Sequence, residues 1–191
     1  MTEDAGQVRN EELDPEREAL RQAALAQIRQ YPDPVLRMRA REVEQFDADL
    51  TRLVERLRQL MEDANGAGLA ATQAGVLRRV FVFYPDPDSD PIAVVNPVIA
   101  ERGEETETDA EGCLSLRGVQ VPVERALTVR LEGLDPQGSE LSLDLSGLGA
   151  RIVQHELDHL DGVLTIDRTT AEQRRSALAQ LRPQPVLGPV G

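Results

Sequence analysis

The chain has no lysine and no tryptophan, a single cysteine, two histidines, and aromatic residues at only 3% of its 191 positions. Each scarcity excludes something. Without lysine there is no Schiff base to a carbonyl substrate or to pyridoxal phosphate, no Walker-loop phosphate lysine, and no Ser-Lys nucleophile pair. Few aromatics leave little to stack on nucleobases, and a formal charge of −13 repels a phosphate backbone, so DNA is not an expected partner. One cysteine cannot close an intramolecular disulfide, which fits a reducing compartment. No apolar run approaches the roughly 20 residues that a membrane span needs. The acidic start Met1-Thr2-Glu3-Asp4 lacks the apolar stretch of a signal peptide. The expectation is a cytoplasmic chain, without membrane contact, built on an aliphatic core.

A length of 191 residues suits one domain with tails. Residues 1–18 carry seven acids and two arginines and read as a mobile acidic tail, entering a helix near residues 18–30 that Tyr31-Pro32-Asp33-Pro34 stops. Leu50, Leu53, Val54, Leu57, Leu60, Met61 and Ala64 fall at helical spacing behind the possible caps Asp47 and Asp49. Residues 80–84 and 92–96 read as short strands, and residues 127–131 and 141–145 as strands across the turn Asp135-Pro136-Gln137-Gly138. Residues 148–160 read as a second helix, with Leu148, Ile152, His155 and His159 on its inward face. Residues 169–181 suggest a short helix resting on Leu178 and Leu181, followed by a Pro/Gly-rich end that reads as mobile. The predicted fold is α+β, with antiparallel β-sheets packed around a central helix carrying HExxH. A catalytic domain over residues 19–168 lies between the acidic tail and a C-terminal segment, 169–191.

Both histidines and the cysteine fall in chemically loaded motifs. His155 and His159 lie in Gln154-His155-Glu156-Leu157-Asp158-His159, where a spacing of four puts two imidazoles on one helix face, one turn apart. Cys113, in Glu111-Gly112-Cys113-Leu114-Ser115, is the only soft ligand available to join them. Two His, one Cys and an open fourth position make a catalytic rather than a structural metal pattern, suited to zinc or ferrous iron. Glu156, roughly 100° round the helix from His155, can stand near the metal without ligating it and serve as general base. The small-residue run of residues 66–75 directly follows a helix, so it reads on its own as a helix cap and turn. It is not a dinucleotide fingerprint, which would follow a strand.

Taken together, the three motifs resemble those of the peptide deformylases. Residues 66–73 match the family's Gly-hydrophobic-Gly-hydrophobic-Ala-Ala-x-Gln, with Ala67 at the first hydrophobic position. Residues 111–115 match Glu-Gly-Cys-Leu-Ser, and residues 154–162 match Gln-His-Glu-x-Asp-His-Leu-x-Gly, both without change. The likeness covers roughly residues 28–167. It implies one divalent metal ion on Cys113, His155 and His159, with ferrous iron native and zinc or nickel able to replace it. It implies Glu156 as general base and acid, and Gln73 with the backbone N–H of Leu114 as the holders of the oxyanion. Ala67, Gly68, Glu111 and Gly112 would form the substrate-binding edge. The implied substrates are nascent N-formylmethionyl polypeptides, and the implied products formate and a free amine. Arg117 stands where the family often has proline, and Ala67 and Ala74 are smaller than usual, which bears on the shape of the methionine pocket.

Two other readings compete. HExxH alone would allow a zinc peptidase, but such enzymes commonly take a third His or Glu ligand downstream, and no third histidine exists. A non-enzymatic ribosome-binding protein with a structural metal would need four protein ligands, where only three are obvious. Residues 169–191 read either as an ordinary solvated helix end or as a segment that makes a transient ribosome contact. There Arg174, Arg175 and Arg182 against Glu172 give +2, which leaves −15 for the rest of the chain.

Overall fold

The computed structural model describes Gln7, Val8 and residues 13–181. The expectations for the Pro/Gly-rich end and for most of the acidic start lie outside those residues.

Helix α1 spans Pro15–Leu25, earlier than expected. The Asp14 carboxylate accepts from the N–H groups of Glu16 and Arg17, and Pro15 sits in the first turn, where its missing N–H leaves no partner wanting. At the other end the N–H of Arg29 donates to the Gln73 carbonyl at 2.7 Å, so the chain leaves the helix to reach the small-residue segment. Helix α1 thus begins inside the stretch read as tail. Helix α2 (Ala48–Asp63) forms where its apolar period puts it. Asp47 caps it through the N–H groups of Asp49 and Leu50, and Leu50, Leu53, Val54, Leu57, Leu60 and Met61 are buried. Each such side chain, fully removed from water, contributes about 1.5–3 kcal/mol.

Residues 66–75 are not a simple turn. They contain strand β1 (Gly68–Ala70) and a tight helical turn over Ala71–Ala74, closed by Gly75 at φ 80°. The remaining strands are β2 (Val80–Phe83), β3 (Ile92–Arg102), β4 (Thr106–Gly112), β5 (Gln120–Ala126), β6 (Thr128–Leu134) and β7 (Glu140–Ser146). All pairings are antiparallel: a five-stranded sheet in the order β1-β2-β3-β6-β7, and a separate pair, β4-β5. Strand β3 continues six residues past its expected end at Asn96. A register shift between Val95 and Val98 absorbs Pro97, while Asn96 takes φ 51° and pairs with both backbone groups of Val43. Strand β4 was unforeseen, because its residues are exposed until Glu111 and show no apolar alternation.

Helix α3 (Gly147–Leu160) carries the HExxH segment, and 11 of its 14 residues are buried. It packs against β1, β2 and β7 of the large sheet and against β5 of the small one. The architecture is α+β with antiparallel sheets. Helix α4 (Ala171–Leu181) buries Ala177, with Leu178 and Leu181 only partly covered against Leu116, Val121 and Val123. Among the described residues, no helix is long and apolar enough to cross a membrane.

Candidate active site

The buried face of α3 and the turn after β4 bring the three predicted ligands together. His155 Nε2 lies 3.1 Å from His159 Nε2, and Cys113 Sγ lies 3.3 Å from His159 Nε2. The three ligand atoms all fall within 4.8 Å of one another, and all three residues are buried. Burial pushes the His159 imidazole well below its usual pKa, aided by His155 and Arg125, so its ring stays neutral and keeps a lone pair. Burial likewise pushes the Cys113 thiol up, so a cation is needed to draw off its proton.

Behind His155 stands a charged wall. Glu111 Oε2 accepts from His155 Nδ1 at 3.0 Å, which leaves Nε2 as the lone-pair nitrogen that faces Cys113 and His159. The Glu111 carboxylate also takes Arg125 bidentately, at 2.9 and 3.0 Å, and Arg151 at 3.0 Å. Burial works to raise the Glu111 pKa. Hydrogen bonds from His155 and Arg125 and their charges outweigh it and hold the carboxyl well below the usual range. Asp158, inside the HExxH segment, bonds Arg125 at 2.7 Å and Arg168 at 2.6 Å. Gln154 hooks both backbone groups of Ala126, tying α3 to the end of β5. Glu111, expected at the substrate-binding edge, is fully buried and turned toward His155 and the arginines, and its carboxylate fixes the His155 ring through Nδ1. Cys, two His and an orienting carboxylate together suit a divalent metal of the zinc or iron type.

In front of the ligands lie Glu156, Gln73 and Leu114. Burial drives the Glu156 carboxyl well above its ordinary pKa, and its Oε2 has no hydrogen-bond partner among the described residues. The Gln73 amide is fixed by the Ala70 N–H on its Oε1 at 3.0 Å, while its Nε2 donates to Ser115 Oγ at 3.0 Å. Gly68 is required here, because a Cβ would collide with Glu156 Oε1 and with Ile152.

One residue occupies this front that sequence reasoning missed. The Gln7 side chain is fully buried. Its Oε1 accepts from the Leu114 N–H at 2.9 Å and from Gln73 Nε2 at 3.0 Å. Its Nε2 donates to Glu156 Oε1 at 2.9 Å and to Gln73 Oε1 at 2.7 Å. Its carbonyl accepts from the Ala67 N–H at 2.9 Å, its N–H donates to the Gly112 carbonyl at 3.3 Å, and Val8 forms an antiparallel bridge with Gly66. Gln7 therefore lies between Ala67 and Gly112, two of the residues expected to line the substrate edge. Nothing in an acidic, aperiodic stretch marks Gln7, since the contact depends on where the chain doubles back.

The polypeptide deformylase family model matches residues 25–175. Peptide deformylase 1 of Corynebacterium efficiens is 47% identical over 157 residues, covering 81% of this chain and 93% of the relative. Among solved structures, peptide deformylase from Thermotoga maritima superposes with a TM-score of 0.72 at 43% identity, covering 75% of this chain and 96% of that one. Arabidopsis thaliana peptide deformylase 1B, in complex with an inhibitor, superposes with a TM-score of 0.77 at 38% identity, covering 81% and 87%. With the matched motifs folded into one buried cluster, the chain belongs to the polypeptide deformylase family.

Proposed function

We propose that this hydrolase removes the formyl group from N-formylmethionine at the N-terminus of newly made polypeptides, using one divalent metal held by Cys113, His155 and His159. The observation that carries the reading is the convergence of those ligands beside two N–H donors, on Leu114 and Gln73, that meet on a single amide oxygen. A formamide carbonyl fits the same seat. When bound, the metal lowers the pKa of a water to about 7 and so supplies the nucleophile.

The chain's own groups do the rest. Leu114 N–H and Gln73 Nε2 hold the formyl oxygen as it gains charge, and donors of this kind are each worth about 10²–10³ in rate. Glu156 takes a proton from the attacking water and passes it to the leaving nitrogen. The C–O bond to water forms, the C–N bond breaks, and formate and a free amine result. Ala67 N–H and the Gly112 carbonyl offer backbone pairing to an extended substrate, as they now do to Gln7.

Ferrous iron is the native ion in this reading, with zinc or nickel able to take its place. A thiolate on iron is oxidised readily, so the iron form loses activity in air and catalase protects it. The reaction is cytoplasmic, where formylated chains are made. Arg175, exposed on α4, belongs to the segment proposed to touch the ribosome transiently. Arg174 is already paired with Asp167 at 3.1 Å. The direct test is formate release from a short N-formylmethionyl peptide by anaerobically purified protein. Release that stops on chelation is expected; no release from metal-loaded protein overturns the reading.

A further inference from the structure

We infer that Gln7 and Val8 are an intramolecular competitor for the substrate groove, with the Gln7 carboxamide seated as a stand-in for the formamide. The inference rests on the deformylase reading of the site and goes beyond it, because it concerns what occupies the groove when substrate is absent.

The match is made atom by atom. A formamide presents one carbonyl oxygen and one nitrogen. The Gln7 carbonyl oxygen lies on the two donors assigned to the formyl oxygen, and the Gln7 amide nitrogen lies on Glu156, the group assigned to protonate the leaving nitrogen. The backbone completes the likeness. Gln7 uses its N–H and its carbonyl to bridge Gly112 and Ala67, and Val8 bridges Gly66, pairings of the kind a bound peptide makes with backbone edges. Val8 packs beside Gly66 and borders a cavity of about 440 Å³ lined also by Leu25, Leu114 and Leu116. A polar side chain with all of its hydrogen bonds made inside a pocket, and with no exposed surface, is a ligand-like placement and not surface packing. Gln7 is not itself a substrate: its carbonyl carbon bears a methylene where a formyl group bears hydrogen, and its nitrogen ends in hydrogens where the substrate continues as a chain. Tethering makes the segment effective even if it binds weakly, since a short link gives local concentrations of about the millimolar range.

The test compares the full-length parent with Gln7→Ala and Val8→Asp. The first removes the carboxamide and the second its neighbour's apolar anchor, and neither residue is part of the reacting machinery. Two measurements are made: steady-state kinetics on a short N-formylmethionyl peptide with metal-loaded protein, and the alkylation rate of Cys113, the sole cysteine, in metal-free protein. An intramolecular competitor raises KM and leaves kcat alone. Both variants are therefore expected to lower KM by about fivefold, the equivalent of one net hydrogen bond, at unchanged kcat, and to speed alkylation to a similar degree. Equal KM in all three active proteins overturns the inference. If none of the three releases formate, alkylation decides. Faster labelling in the variants keeps the self-occupied groove and removes the deformylase reading, while equal rates remove both.

Discussion

The two sides of His155 differ in kind. Behind it, Glu111, Arg125, Arg151, Asp158 and Arg168 form a closed set in which each carboxylate meets arginines and the imidazole Nδ1 has a fixed acceptor. In front, Glu156 Oε2 has no hydrogen-bond partner among the described residues, and the Leu114 N–H and Gln73 Nε2 donors are met by Gln7. The rear set is contributed by β4, β5, α3 and the turn after α3, so it forms with the fold. The front is completed by a segment that lies upstream of the first helix. The rear thus fixes the His155 ring, and the front is a seat that an amide fills. Buried ion pairs are a poor source of net stability. Their use here is to aim one imidazole.

That contrast can be broken from either side. Cys113→Ser acts at the front and has the largest effect: most of the metal and most of the formate-releasing activity are lost, as elemental analysis and turnover of the same preparation check. Glu111→Gln acts at the rear. It leaves Arg125 and Arg151 without their carboxylate and frees His155 Nδ1, so metal affinity falls about 10–100-fold, the usual consequence of losing a carboxylate behind a ligand histidine. Competition with a chelator measures it. Stability falls as well, by about 3–5 kcal/mol if the whole cost of breaking a buried pair is felt, as denaturant unfolding shows. Asp47→Ala touches neither side. It removes the cap of α2 and costs about 1 kcal/mol of stability, with kcat and metal content unchanged.

What could be read in the sequence follows the same divide between local and long-range contacts. Helix α2 was legible because six large apolar residues recur at helical spacing behind a capping aspartate. Strand β7 was legible because Leu141, Leu143 and Leu145 alternate with exposed neighbours. The clustering of Cys113, His155 and His159 was legible because scarcity left no other histidine or cysteine to choose from. Strand β4 was not, since its pairing with β5 is written in backbone hydrogen bonds and its residues before Glu111 are exposed. The burial of Glu111 was hidden for a related reason: where its carboxylate points depends on Arg125 and Arg151, 14 and 40 residues away. Gln7 meets Glu156 across 149 residues, a contact no local pattern announces.

The central claim is that Cys113, His155 and His159 hold the metal while Glu156 moves the proton, and Glu156→Gln separates these roles most directly. Glutamine keeps the size of the side chain and a hydrogen-bonding oxygen but is no base. Metal content and formate release are measured on one preparation, beside the parent. The account predicts parental metal content with a rate lower by at least ~10², the scale of positioned acid–base catalysis. Near-parental turnover, or loss of the metal together with the activity, would contradict it.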